Sequence, residues 1–183
     1  MALWIGGALV SAMEKLKRGR SVARKGETMT QELSDETQAK LKKMHHEAVV
    51  TDWLGTVGRE ASSEAAKRAH CPYSNYHVGA AVLGDNGGVY IGCNVENASY
   101  GLTMCAERVA IFNAIVGGAK KIQAVYVTCQ DSGSLDPVEM KMPCGACLQV
   151  IAELASDDIP IAIHGLGRFK LSELLPKPFQ FKS

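Results

Sequence analysis

Three cysteines and one glutamate carry the strongest chemical signal in this chain. Glu107 lies two residues after Cys105, and Cys144 and Cys147 stand three apart in Pro143-Cys144-Gly145-Ala146-Cys147. Both groups fall where a helix start is predicted, and residues three apart on a helix share a face. The unpaired N–H groups and positive end of a helix start favour thiolates. Three sulfurs converging from two helices suit tetrahedral Zn²⁺ and leave one position open, the feature that separates a catalytic zinc from a structural one. Water at such a position ionises near pH ~7 instead of ~15.7 in bulk. Glu107 is beside this group yet not needed as a ligand, so its carboxylate is placed to shuttle protons between water and a substrate. A closed, structural site needs a fourth ligand; His70 and His77 are nearest in sequence, and nothing in the sequence brings either there.

These residues need elements to hold them. From Ser34, a plausible N-cap followed by Asp35 and Glu36, the pattern is helical, with a loose apolar stripe at Leu41, Met44, Val49, Trp53 and Leu54. Gly55 and Gly58 interrupt it, a second piece runs from Ala61 to Ala69, and Pro72 stops it. Val78 to Leu83 and Val89 to Asn94 flank Asp85-Asn86-Gly87-Gly88 and read as a hairpin. A helix is predicted from about Cys105 to Val116, with Val109, Phe112 and Val116 inward and Gly117-Gly118 ending it. Ile122 to Cys129 is a β-branched strand, and a polar loop follows to Met142. A short helix spans roughly Cys144 to Leu154, Ile159 to Ile163 is a strand, and Leu171 to Leu175 is a helical turn or two. Strands alternating with helices imply α/β architecture, a three-layer α-β-α sandwich.

The ordered set Cys71-Pro72-Tyr73-Ser74, Gly92-Cys93-Asn94-Val95-Glu96-Asn97-Ala98, Cys105-Ala106-Glu107-Arg108, Pro143-Cys144-Gly145-Ala146-Cys147 and Glu173-Leu174-Leu175-Pro176 resembles the cytidine deaminase family, in its small homotetrameric class with three cysteine ligands. The Cys-x-Glu and Pro-Cys-x-x-Cys elements also match the general zinc-deaminase signature. The likeness covers about residues 60 to 180. It implies a mixed, about five-stranded sheet, one zinc ion per chain on Cys105, Cys144 and Cys147, and Glu107 as the proton shuttle. It further implies that Asn94 and Glu96 hold the ribose hydroxyls, that Tyr76 packs on the pyrimidine, and that the Ala106 backbone meets the base edge. Tyr100 would stand at a subunit junction near the sugar, and Phe179 would reach the base from a neighbouring subunit of a homotetramer. Arg108 would hydrogen-bond cysteine sulfurs. The implied reaction is hydrolysis of free cytidine and 2'-deoxycytidine to uridine and 2'-deoxyuridine with release of ammonia, a step of pyrimidine salvage. The alternative is a zinc deaminase for another substrate, a nucleoside antibiotic or cytosine in a polynucleotide. Leu148 departs from the family, where an arginine is common, which implies the loss of one surface or interface contact.

Composition narrows the choice. Twenty Lys+Arg against nineteen Asp+Glu leave a net charge of +1, and aromatic residues make up 6%. A polynucleotide enzyme is expected to show a basic groove and stacking aromatics, so no nucleic-acid partner is expected. No apolar run approaches the ~20 residues of a membrane span, so no membrane partner is expected. The apolar opening lacks a preceding basic region, which argues against secretion, and six cysteines are too few for a disulfide scaffold, so a cytoplasmic location is expected. Residues 1–34 read as an N-terminal extension, apolar and then basic from Lys15 to Lys25: a disordered tail, a leader, or sequence upstream of a true start at Met29. Residues 35–183 read as the catalytic domain. Cys71, Cys93 and Cys129 are expected to be buried core thiols.

Overall fold

The structure, a computed structural model, describes residues 34–133 and 135–181. The expectations for residues 1–33 lie outside the described residues. A compact unit begins at residue 39, and residues 34–38, the first turn of the opening helix, lie before it.

Ser34 caps helix α1, Asp35–Gly55, accepting the Thr37 N–H on its Oγ at 3.3 Å. Gly55 ends α1, and α2 follows at once as Val57–Ala66, earlier than the piece expected from Ala61. The α1 stripe is only partly used: Val50, Trp53 and Leu54 are buried, whereas Leu41, Met44 and Val49 are exposed. The strands are β1 Val78–Gly84, β2 Val89–Cys93, β3 Ile122–Cys129, β4 Pro160–Ile163 and β5 Gly167–Lys170. Helix α3 is Ala106–Val116, α4 is Gly145–Leu154, and α5 is the single turn Leu171–Leu174.

The five strands form one mixed sheet in the order β2-β1-β3-β4-β5. The β1–β2 hairpin turns through Gly87, whose φ of 76° suits glycine; β1 and β3 are antiparallel, β3 and β4 parallel, and β4 and β5 antiparallel. Alternation along the strands divides the core in two. Ala80, Val82, Val125 and Val127 face one side with Ala110, Ile111, Ala114 of α3 and Leu148, Ile151 of α4. Ala81, Leu83, Ala124 and Tyr126 face the other with Val50, Trp53 and Leu54 of α1. The sandwich is thus α-β-α, as expected. The short, mostly exposed β5 was not legible residue by residue, because Gly-Arg-Phe-Lys carries no apolar alternation.

The inward face of α3 differs from the expected one. Phe112 and Val116 are 45% and 89% exposed, and the buried residues are Ala106, Glu107, Ala110, Ile111 and Ala114. Apolar residues lie on several sides of the helix, and close approach to strand backbone selects the side that meets the sheet. A Cβ on Gly92 of β2 would stand 2.3 Å from the Ala110 N and 2.6 Å from the Ala106 O. Gly79 of β1 is equally close to α2, 2.0 Å from the Ser62 O. Both helices therefore lie directly on strand backbone. Gly92→Val is expected to push the first turn of α3 off the sheet, costing about 1–3 kcal/mol and lowering activity more than stability alone accounts for, because that turn carries Glu107. A thermal melt beside an activity assay checks this.

Candidate active site

The three cysteines are gathered by two helix starts. Cys105 is the N-cap of α3 and Cys144 the N-cap of α4, both in extended backbone, and Cys147 lies on the first turn of α4. Their Sγ atoms all lie within 4.8 Å of one another. Cys105 and Cys144 are 3.9 Å apart, and Cys144 and Cys147 are 3.5 Å apart. Four ligands at the usual Zn–S distance of ~2.3 Å around a tetrahedron stand roughly 3.8 Å from one another, so the spacing and the donor set fit zinc. Among the described residues this is the one such group of metal-ligating side chains.

Charge in the cluster settles unevenly. Hydrogen bonds from the Cys147 thiol and then from Arg108 lower the Cys105 thiol. The same bond with Cys105, together with burial, pushes Cys147 up. The Arg108 Nη2 lies 3.6 Å from the Cys105 Sγ and 3.4 Å from the Thr103 carbonyl. Its buried Nε has no hydrogen-bond partner among the described residues. The guanidinium is thus held beside the thiolates rather than spread in solvent. Arg108→Gln is expected to keep the fold and to cost about 10–100-fold in metal affinity or activity, measured by chelator competition and by turnover at saturating zinc.

Glu107, the second residue of α3, is 4% exposed. Burial, aided by the negative Cys105, raises its carboxyl to about 7. A carboxyl with a value near neutrality is matched to giving and taking protons. Ala106 beside it is fully buried in the same first turn, whose N–H groups helix geometry leaves unpaired.

A second group forms a loop-and-strand frame. Asn94 is buried just past β2; its Oδ1 accepts the Val78 N–H at 2.9 Å and its Nδ2 donates to the Tyr76 carbonyl at 2.8 Å. Each of these amide atoms keeps further bonding capacity. Glu96 accepts the N–H groups of Tyr73 and Ser74 at 3.0 and 3.2 Å, and the Ser74 hydroxyl. The Ser74 hydroxyl bond, first among these, holds the Glu96 carboxyl below its ordinary value. Tyr76 packs against the main core and donates its hydroxyl to the Met140 carbonyl at 3.3 Å. Burial pushes that phenol up. Tyr73, Ser74, Glu96, Asn97, Tyr100 and Thr103 line a cavity of about 350 Å³. Tyr100 lies in the 3-10 turn Tyr100–Leu102.

Phe179 lines neither this cavity nor the cysteine group among the described residues. The residue is 73% exposed, while its backbone is clamped by Gln149 of α4: the Gln149 Nε2 donates to the Phe179 carbonyl at 2.8 Å, and the Phe179 N–H donates to the Gln149 Oε1 at 2.9 Å. Sequence reasoning assigned no role to Gln149, which has no motif signal of its own, or to Tyr73 and Ser74, which do. Leu148 is buried in the main core. Cys71 and Cys129 are buried as expected; Cys93 is half-buried, its thiol donating to the Arg68 carbonyl at 3.3 Å.

A mixed sheet whose helix starts bring three cysteines to a buried glutamate defines a class of zinc site. Residues 55–163 match the family model for the cytidine and deoxycytidylate deaminase zinc-binding region. A cytidine deaminase of Sporosarcina psychrophila is 38% identical over 122 residues, 64% of this chain and 85% of that protein. One from Halalkalibacterium halodurans is 42% identical over 120 residues, 63% of this chain and 86% of its own. Among solved structures, cytidine deaminase from Mycobacterium tuberculosis superposes with a TM-score of 0.59 at 38% identity, covering 68% of this chain and 96% of that one. Cytidine deaminase from Burkholderia pseudomallei gives 0.57 at 40% identity, covering 66% and 94%. The chain belongs to the cytidine and deoxycytidylate deaminase family, and its α/β fold is the one those structures share.

Proposed function

We propose that the protein is a hydrolase that converts free cytidine and 2'-deoxycytidine to uridine and 2'-deoxyuridine, releasing ammonia. The observation that carries this reading is the buried Glu107 on the same helix turn as a three-cysteine group fit for zinc. Cys105, Cys144 and Cys147 would hold one zinc ion per chain, which would supply Lewis-acid activation of a water. Glu107 would take one proton from that water and give it to N3 of the cytosine ring as the water oxygen bonds to C4, then take the oxygen's remaining proton and give it to the 4-amino nitrogen, which leaves as ammonia when the C4–N bond breaks. Arg108 holds the charge of Cys105 in check. Tyr76 packs on the pyrimidine, the Ala106 N–H meets the base edge, and Asn94 and Glu96 receive the sugar hydroxyls.

The exposed Tyr100 and Phe179 fit a subunit junction, and we assign the protein to a homotetramer in which Phe179 reaches a neighbour's base. Residues 35–183 form the catalytic unit. Among the described residues no helix is long and apolar enough to cross a membrane. We assign the protein to the cytoplasm and to pyrimidine salvage, without nucleic-acid or membrane partners. Chromatography of products from cytidine, deoxycytidine and a cytosine-containing single-stranded oligonucleotide tests the reading. Conversion of both nucleosides and not the oligonucleotide is expected; conversion of the oligonucleotide alone overturns it. Sedimentation showing an active monomer removes the tetramer, and unchanged activity in Phe179→Ala removes that ring from the site.

A further inference from the structure

We infer that Ser74 is a positioning residue of the nucleoside pocket, its hydroxyl tying the sugar-facing Glu96 carboxylate to the peptide of the base-facing Tyr76. The inference rests on the nucleoside reading proposed above, and concerns a serine to which that reading gives no part. Ser74 lies in an exposed turn closed by the Asn75 N–H on the Cys71 carbonyl at 2.9 Å, with Asn75 at a φ of 54°, a left-handed conformation that asparagine tolerates. This turn points two bonds of one hydroxyl in different directions. The Ser74 Oγ donates its hydrogen to the Glu96 Oε1, and it accepts the Tyr76 N–H at 3.0 Å.

The bonding capacity of Glu96 shows what this achieves. An ionised carboxylate offers roughly four acceptor sites. The Oε2 receives two backbone donors, from Tyr73 and Ser74, and the Oε1 receives the Ser74 hydroxyl. The remaining site is on Oε1, beside the cavity that Glu96 and Ser74 both line. The Ser74 hydrogen is already committed to Glu96, so Ser74 is not the group that donates to a ligand. A sugar hydroxyl must donate to Oε1, and Ser74 fixes where that oxygen points. On the other side, Tyr76 is held at both ends of its residue: its N–H by Ser74, and its carbonyl by Asn94. Asn94 and Glu96 therefore both reach Tyr76, one directly and one through Ser74. Sugar and base contacts move as one unit, and Ser74 is the link that a single substitution can cut.

The test uses the full-length, zinc-loaded protein with cytidine and with a nucleoside lacking both the 2'- and 3'-hydroxyls. The variants are Ser74→Ala, Ser74→Thr, Glu96→Gln and the double variant Ser74→Ala/Glu96→Gln, with zinc content measured for each. A hydrogen bond to a charged group governs the size of the effect, so Ser74→Ala is expected to raise KM for cytidine about 10-fold or more. Its kcat should change far less, and its zinc content not at all. Ser74→Thr, which keeps the hydroxyl, should restore most of the loss. The double variant should lose little beyond Glu96→Gln alone, because the two act through one bond. The Ser74→Ala loss should shrink for the nucleoside without those hydroxyls. An unchanged KM, additive losses, or a fall in kcat and zinc content together would overturn the role of Ser74. If the parent protein turns over cytidine in that same experiment, the function stands without it; a parent inactive on cytidine removes both.

Discussion

Glu107→Gln is expected to fold, to keep its zinc, and to lose about 10²–10⁴-fold in turnover of cytidine. The amide has the shape of the carboxyl but cannot take and return a proton, and here one group serves more than one transfer. Glu107 sits at 4% exposure in the first turn of α3, so no solvent group stands ready to replace it. The substitution also has a stability signature. Burial raises this carboxyl from the ordinary 4.5 to about 7. A raised acid favours the fold while protonated, and that contribution is lost as pH rises from the ordinary value through the raised one. The neutral amide carries no such dependence, so Glu107→Gln should be at least as stable as the parent above pH ~7. Turnover within a few fold of the parent would remove Glu107 from the chemistry. A lowered melting temperature at neutral pH would mean that the carboxylate serves the fold.

The second large effect concerns the metal group. Cys144→Ala removes the sulfur that stands 3.9 Å from Cys105 and 3.5 Å from Cys147. Two thiols cannot hold the ion as three do, and zinc content by elemental analysis is expected to fall from one per chain towards zero, with activity lost alongside it. Cys144 is exposed at the cap of α4 and is not a core residue, so the loss is of metal and not of packing. Full zinc occupancy in this variant would reject the site. Cys129→Ala is the control: its thiol is buried at the end of β3, donating to the Lys141 carbonyl at 4.0 Å and standing outside the group, and zinc should be retained.

Much of this was legible in the sequence, for reasons that differ by element. The bounds of β3 matched residue for residue, because eight residues rich in β-branched types between a helix end and a polar loop admit one reading. The cysteine group was legible because the N-cap positions of α3 and α4 coincide with the Cys-x-Glu and Pro-Cys-x-x-Cys spacings. The inner face of α3 was not. Val109, Phe112 and Val116 had a helical spacing, but the backbone of Gly92 lies against the helix at Ala106, Val109 and Ala110, which turns Ala106, Ala110, Ile111 and Ala114 inward and leaves Phe112 and Val116 outside. That preference comes from the partner strand, not from the helix's own pattern. The outer stripe of α1 failed for a related reason: Leu41 and Met44 have the right period but no sheet beneath them. Gln149 carried no signal in the sequence, and Ser74 only its place in Cys71-Pro72-Tyr73-Ser74; their partners lie 30 and 22 residues away, and only folding brings them together.

Ammonia release from cytidine by the purified protein, followed alongside zinc content before and after chelation, tests the central claim most directly. Robust release is expected at one zinc per chain, falling to background as zinc is stripped and returning when it is restored. Release that persists unchanged after the zinc is gone, or none from fully zinc-loaded protein, would contradict it.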